Sequence, residues 1–230
     1  MTEHDGRPRH AAHGGASGNA APARTTSTVR LVPPISGEQI LALQAGDVVS
    51  ISGVILTARD AAHKFMVEHL IDRPPAPEDR PLYDELRRVL AGGVIFHCGP
   101  IVRRVGERWE FVSGGPTTSI RAEIYEPEVI GHFGVRVVIG KGGMGDGTLA
   151  ALRQFKAVYV HGIGGAGALT ARAVKEVLAV YKEAEFGLPE AFWKIRVEDL
   201  TGIVTMDAHG QSLHRQIEDE SAQVLAHGHE

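Results

Sequence analysis

The stretch VRVVIGKGGMGDGTLAALRQFKAVYV, residues 135–160, indicates the fold class of this protein. Residues 135–139 and 157–160 are short apolar runs rich in β-branched side chains, as buried strands are. Residues 149–155, between those runs, read as a helix. A strand, a helix and a second strand in succession are typical of a βαβ unit.

Further strands and helices are predicted outward from this unit. Ser36 and Gln39 have capping-box spacing and open a short helix, while Gly53 inside an apolar strand indicates a bulge or a close neighbour. Asp60 is predicted to cap a helix. Strands are expected at 48–58, 94–97, 194–197 and 203–206, and helices at 36–43, 60–70, 82–90, 119–130 and 169–181. This alternation predicts one α/β domain with a mixed or parallel sheet covered by helices.

Composition divides the chain into three parts. Residues 1–27 are mostly Ala, Gly, Ser, Thr, His and Pro, with little to bury, and are predicted to be a disordered tail. Residues 28–214 form the predicted domain, and residues 215–230 a polar C-terminal tail.

Charge and hydropathy argue against several classes of protein. The formal net charge of −4 gives no field that would attract nucleic acid or an anionic membrane, and 6% aromatic residues offer few platforms for base stacking. The sequence has no apolar run of about 18 residues for a membrane span. The N-terminus lacks the apolar stretch of a secretory signal, so a cytoplasmic protein is expected.

The cysteines and histidines of this chain limit the kinds of metal site that it could form. Cys98 is the single cysteine, so this chain alone can build neither a disulfide nor a Cys-rich metal site, and Cys98 is predicted to be a packing residue. His63 and His69 are too far apart to share a helix face as an i, i+4 pair. No metal site is therefore predicted on this chain.

Two glycine-rich motifs are discounted. Residues 162–167 match G-x-G-x-x-G, but residues 182–187, where a strand ending in an acid should follow, do not read as a buried strand. A tight strand-to-helix turn is favoured there over a dinucleotide site. Gly142 stands where a phosphate-binding P-loop would need Ser or Thr after Lys141.

Four loops that follow predicted strands pair glycine with a cation or a hydroxyl. Arg59 lies at a strand-to-helix junction, Thr117 and Thr118 precede Arg121 at a predicted helix start, and Lys141 sits between glycines. The fourth loop is Phe96-His97-Cys98-Gly99-Pro100. Such loops are where α/β sheets bind ligands, and Arg and Lys suit carboxylates. The residues alone therefore predict a site for a small polyanion. Ordinary surface charges and a simple helix cap remain the alternative.

The same loops resemble the β half of the class I fumarase and tartrate dehydratase family. The resemblance runs from about residue 30 to 214. It is carried, in order, by Gly46-Asp47, Ser52-Gly53, residues 57–63 (TARDAAH), 115–121 (GPTTSIR), 139–142 (IGKG), 164–166 (GGA), 185–193 (EFGLPEAFW) and 207–210 (DAHG).

The resemblance implies a fold, a cofactor and a partner. The fold would be a swivelling β/β/α domain, and the activity reversible hydration of fumarate to malate. A 4Fe-4S cluster, held by three cysteines of a separate α subunit and not ligated by this chain, would act as a Lewis acid. This chain would be the β subunit and inactive alone.

The resemblance also assigns roles to five residues. Arg59, Arg121 and Lys141 would bind substrate carboxylates, Thr118 would add a hydrogen bond, and Thr117 would take part in proton transfer. L(+)-tartrate dehydratase, which converts tartrate to oxaloacetate, remains an alternative activity. A non-catalytic dicarboxylate-binding module is a second alternative.

Overall fold

A computed structural model describes residues 28–162 and 167–227. The predicted disordered tail, 1–27, lies outside the described residues. The strands are β1 (Val29–Leu31), β2 (Val48–Thr57), β3 (Val94–Phe96), β4 (Ile101–Val105), β5 (Arg108–Ser113), β6 (Val137–Gly140), β7 (Val158–Gly162), β8 (Val174–Tyr181) and β9 (Phe192–Met206). The helices are α1 (Gly37–Leu41), α2 (Asp60–Phe65), α3 (Arg80–Leu90), α4 (Glu126–Phe133), α5 (Asp146–Phe155), α6 (Gly167–Ala173), α7 (Glu183–Phe186) and α8 (Leu213–His227).

The sheet is mixed, and the pairings between its central strands form a closed ring. Strands β2, β3, β6 and β7 are parallel neighbours in that order. The long strand β9 pairs antiparallel with β7 and also with β2, which links the two sides of the parallel group. β1 pairs in parallel with β2, and β8 pairs antiparallel with β9. β4 and β5 form a separate hairpin. The predicted α/β class with a mixed sheet is confirmed.

Strand alternation divides the apolar residues between two cores. The first core lies between the sheet and helices α2 to α5, and it contains Leu56, Ile95, Val138 and Tyr159. The residues next to these in the sequence face strands β8 and β9 instead. The second set packs around Trp193, which is fully buried. Because side chains alternate along a strand, one parallel sheet supplies both cores and yields layers of helix, sheet and covering strands.

Several predicted elements are confirmed. Helix α1 begins with the capping box of Ser36 and Gln39. Strand β2 shifts register between Ile51 and Gly53, as the glycine inside that strand indicated. The predicted strands at 194–197 and 203–206 lie within the single strand β9. Neither β1 nor the β4–β5 hairpin was predicted.

The helix predicted at 169–181 is wrong in its second half. Helix α6 ends at Ala173, and Val174–Tyr181 forms strand β8. Val174, Val177 and Val180 are three residues apart, a spacing that imitates a helix face. In the structure, β8 shifts register twice against β9, and each irregularity changes the alternation so that these three valines pack against the second core.

The helix predicted at 119–130 is wrong in its first half, while residues 126–130 are helical. A 3₁₀ turn at Ile120–Ala122 is followed by α4, which begins at Glu126. Pro127 occupies the first turn of α4, and proline fits there because it lacks a main-chain N–H and is disfavoured in a helix interior.

Two further differences concern helix ends. Arg59 holds the N-cap position of α2, and Asp60, predicted as the cap, is the first helical residue. Helix α2 continues as a π-helix at Met66–Ile71. Helix α8 covers most of the predicted polar C-terminal tail, and the domain boundary at residue 214 stays a prediction. Among the described helices, none has both the length and the apolar character needed to cross a bilayer.

Candidate functional site

The predicted site loops meet at one edge of the sheet. Arg59, His97 and Lys141 follow the carboxyl ends of β2, β3 and β6, which are parallel neighbours. The carboxyl ends of parallel strands share an edge, so residues far apart in sequence gather there.

The threonine loop is fastened to this edge through main-chain hydrogen bonds. The N–H of Thr117 donates to the His97 carbonyl at 2.7 Å, and the Thr117 hydroxyl donates to the same oxygen at 3.0 Å. Lys141 N–H donates to the Thr117 carbonyl, and Ser119 N–H donates to the Lys141 carbonyl, at 3.1 and 3.0 Å. Thr117 and Thr118 therefore lie between the ends of β3 and β6.

Arg59 is mostly buried and is held from two sides. Its Nη1 lies 3.0 Å from Glu190 Oε1 and donates to the Pro189 carbonyl at 3.4 Å. Its Nε is buried and has no hydrogen-bond acceptor within the described part of the chain. Glu190 belongs to the family-like motif at 185–193, but its contact with Arg59 was not predicted.

Arg121 and Lys141 are more open. Arg121 Nε pairs with Asp60 Oδ2 at 3.1 Å, and both side chains are about half exposed. Lys141 and Thr118 are exposed, and no ion pair of Lys141 is found within residues 28–162 and 167–227. The structure thus brings all five predicted site residues onto adjoining loops of one edge.

Sequence reasoning missed a buried polar cluster directly behind this edge. His63, His97 and Glu126 are almost completely inaccessible to solvent. The Nε2 atoms of His63 and His97 lie 2.9 and 3.0 Å from the same carboxylate oxygen, Glu126 Oε2. No local spacing connects these residues, because α2, the end of β3 and α4 meet only in the folded chain.

Hydrogen bonds extend the cluster on both sides. His63 Nδ1 lies 2.9 Å from the Arg59 carbonyl, and His97 Nδ1 lies 2.8 Å from Ser119 Oγ. Tyr159 donates its hydroxyl to Ser119 Oγ at 2.9 Å. Gly140 leaves the space for this junction, since a Cβ there would lie 1.8 Å from Ser119 Oγ.

Burial and mutual attraction act in opposite directions on the pKa values of the cluster. Burial would raise the pKa of Glu126, but the two histidines hold that pKa well below its usual range. Burial would lower the pKa of His63, yet Glu126 more than offsets it and the pKa is raised. Burial lowers the pKa of His97, and Glu126 offsets this only in part. The contact with Glu126 therefore favours the charged form of His63, while burial favours the neutral form of His97.

The capacity of these residues for a metal or cofactor follows from their contacts. One nitrogen from each histidine and one Glu126 oxygen lie within 4.8 Å of one another, and these donor types are ones that zinc and iron accept. In the structure they instead contact one another at hydrogen-bonding distances. Cys98 is buried, and burial raises the pKa of its thiol to about 12, although Arg59 acts to lower it. One buried thiol does not fit a cluster that needs several thiolates.

Two of the family-like motifs lie away from the edge or outside the described residues. The glycine turn at 164–166 is outside the described residues. Asp207 accepts hydrogen bonds from the N–H groups of Ala45, His209 and Gln211, at 2.9 to 3.0 Å. It follows the end of β9 that pairs with the start of β7, so it lies at the opposite edge of the sheet.

Comparison with known proteins gives consistent matches. The family model described as "Fumarase C-terminus" matches residues 8–217. The chain is 44% identical to a putative fumarate hydratase class I of Geobacillus stearothermophilus over 199 residues, which are 86% of this chain and 36% of that protein. It therefore spans little more than a third of that relative.

Two further relatives are closer to this chain in length. The L(+)-tartrate dehydratase subunit beta of Escherichia coli K12 is 40% identical over 184 residues, 80% of this chain and 85% of that protein. A putative L(+)-tartrate dehydratase subunit beta of Methanocaldococcus jannaschii is 36% identical over 80% of this chain and 89% of that protein. By the extent of the family match and the identity to these relatives, the chain belongs to the fumarase C-terminal family, which the class I fumarate hydratases share with tartrate dehydratase β subunits.

Proposed function

We propose that this chain is the β half of a two-part hydro-lyase that interconverts fumarate and malate. The observation that carries the proposal is the gathering of Arg59, Arg121 and Lys141, with Thr117 and Thr118, on adjoining loops at the carboxyl edge of the parallel strands. A four-carbon dicarboxylate carries two negative charges, and a site with three cations and two hydroxyls suits it.

The arginines would recognise the two carboxylates. A guanidinium can hold a carboxylate through two parallel hydrogen bonds. Arg59 and Arg121 are at present paired with Glu190 and Asp60, and the Asp60 pair is half exposed. A substrate carboxylate could take over such a contact, because an exposed pair is worth only about 1 kcal/mol or less. Lys141, whose charge is open to solvent, would supply the remaining attraction.

Thr117 would take part in proton transfer next to a carboxylate. Its hydroxyl donates to the His97 carbonyl, and Oγ1 could take up a substrate proton only if this hydroxyl proton left to a base. A carbonyl oxygen is not a base that could take up the hydroxyl proton. The group that activates Thr117 must therefore come from the partner subunit or from the site's cations.

The iron–sulfur cluster would belong to the partner. In such enzymes a bound cluster supplies a Lewis acid to the substrate. This chain has one cysteine, and its thiol is buried with a raised pKa, so we place the cluster on a cysteine-bearing α subunit.

Two observations support a partner at this edge. The Escherichia coli and Methanocaldococcus relatives are named as beta subunits. Ile120 and Ile124, on either side of Arg121, expose 50% and 73% of their surface. Apolar side chains of this size at the rim of a charged site suit a protein partner more than open solvent.

Tartrate dehydration is a second candidate, favoured by the names of those same relatives. Both substrates are four-carbon dicarboxylates and would use the same cations. The residues that distinguish fumarate, which has a double bond, from tartrate, which has two hydroxyls, would lie on the partner. A binding module without catalysis would instead hold dicarboxylate by itself.

The test is to co-express the chain with its cysteine-bearing partner, reconstitute iron and sulfide without oxygen, and assay malate, fumarate and tartrate. We expect turnover of one substrate by the pair and by neither half alone. A cluster-loaded pair that turns over none of them would contradict the proposal. Tight dicarboxylate binding by the isolated chain in a calorimeter would favour the binding module.

A further inference from the structure

The buried cluster is tied to the candidate site at both ends. On one side, His63 Nδ1 contacts the carbonyl of Arg59. On the other, the carbonyl of His97 holds both the N–H and the hydroxyl of Thr117. The Arg59 carbonyl thus contacts the His63 imidazole, and Thr117 contacts the main chain of His97, whose imidazole lies against Glu126.

The hydrogen positions follow from the partners. His63 Nδ1 faces a carbonyl oxygen, which only accepts, so Nδ1 carries hydrogen. Its Nε2 lies 2.9 Å from Glu126 Oε2 but lacks the geometry of a hydrogen bond. His97 Nε2 donates to Glu126, and its Nδ1 accepts from the Ser119 hydroxyl, whose oxygen accepts from Tyr159. Each imidazole is therefore oriented by two different partners.

We propose that Glu126, His63 and His97 are positioning residues, with a His63 arm that sets Arg59 and a His97 arm that sets the Thr117 hydroxyl. In this inference, the roles of Arg59 and Thr117 rest on the proposed function. The two arms share Glu126, and the two imidazoles pack edge to face with their centroids 4.9 Å apart. The arms end on different site residues, however, so we expect damage to each arm to have its own kinetic signature. The His97 arm acts on proton transfer and the His63 arm on substrate binding.

The His97 arm is tested with Ser119→Ala in the assembled enzyme. This change removes the donor to His97 Nδ1 and the acceptor for Tyr159, and it leaves Glu126 in place. We expect kcat to fall about ten- to a hundredfold, with KM within about twofold, as for a displaced catalytic group. Tyr159→Phe removes the outer hydrogen bond to Ser119, together with the contact between the Tyr159 hydroxyl and the Gly143 main chain, and should give a smaller fall in kcat.

The His63 arm is tested with a pair of amide substitutions. His63→Gln places an amide near Nε2 and keeps a contact with Glu126, but it loses the contact with the Arg59 carbonyl. His63→Asn places the amide near Nδ1 and keeps that second contact. We expect KM to rise about three- to tenfold for His63→Gln and less for His63→Asn, with kcat nearly unchanged in the former. The effect is limited because His63 N–H still donates to the Arg59 carbonyl at 2.8 Å.

Asp207→Asn is the matched control. Asp207 is also a buried carboxylate that several groups contact, but it folds a turn at the opposite edge of the sheet. This variant should lower the melting temperature while the folded enzyme keeps its kcat and KM. A purely structural role for the cluster would make Ser119→Ala and His63→Gln behave in the same way.

A second measurement does not depend on activity. In the isolated full-length chain, Glu126→Gln should shift the amide NMR resonance of Thr117, which donates to the His97 carbonyl, and Asp207→Asn should not. If the wild-type enzyme assembled from both subunits is inactive but this shift appears, the proposed reaction is contradicted while the link between the cluster and Thr117 is supported. Unchanged kcat in folded Ser119→Ala enzyme would overturn the inference. So would a stoichiometric metal in the purified chain that Glu126→Gln removes.

Discussion

Gly99 makes room for the guanidinium of Arg59. A Cβ on Gly99 would lie 2.5 Å from Arg59 Nη1 and 2.9 Å from both Arg59 Cδ and the Pro189 carbonyl oxygen. The loop after β3 therefore needs glycine because the side chain of a different loop fills the space.

Gly99→Ala should move Arg59 without changing its charge. We expect KM to rise about tenfold for the dicarboxylate, because the guanidinium loses its alignment with the substrate carboxylate. Steady-state kinetics of the assembled enzyme measure this. Gly37→Ala is the control, since its Cβ would meet only the flexible end of Lys156, away from the site. An unchanged KM for Gly99→Ala would show that Arg59 does not bind substrate.

Arg121→Ala should lose a charge-assisted contact with the substrate. We expect kcat/KM to fall about ten- to a hundredfold, or about 1.5–3 kcal/mol. Stability should change by less than about 1 kcal/mol, because the pair with Asp60 is half exposed. Arg30→Ala is the matched control, since Arg30 forms a similar exposed pair with Asp199. Equal kinetics for the two variants would remove Arg121 from the site.

Gly140→Ala should damage the core behind the site. Its Cβ would lie 1.8 Å from Ser119 Oγ, 2.9 Å from the Tyr159 hydroxyl and 3.2 Å from His97 Nδ1. Overpacking of this kind costs about 1–3 kcal/mol of unfolding free energy. Urea denaturation of the isolated chain measures it. In the control Gly115→Ala the new Cβ would meet Gly167 at an ordinary 3.7 Å, and a similar loss there would contradict the argument.

Stability should depend on pH through His63. Its pKa is raised in the folded chain, so its contribution is fully present below the ordinary value of 6.5 and is lost as pH rises through the folded value. Glu126 stays ionised over this range because its pKa is held low. We expect the free energy of unfolding of the wild type to fall relative to His63→Gln as the pH rises from the ordinary value of 6.5 through the raised folded value. Parallel curves for the two proteins would refute a charged His63.

The sequence by itself determined the class of the fold and the edge at which the predicted site residues gather. Strands β3, β6 and β7 are continuous apolar runs, and such runs can be recognised locally because strands buried on both faces need them. The cations and hydroxyls could be recognised because they lie in the loops that follow predicted strands.

Only the tertiary structure decided the nature of β8 and the cluster behind the edge. The valines of β8 fit a helix or a bulged strand equally well, and pairing with β9 selects the strand. His63, His97 and Glu126 are polar residues on separate elements, and each could have been a surface side chain. Burial of a charge is tolerated only where opposite charge and hydrogen bonds meet it, and that condition is fulfilled by packing between distant segments.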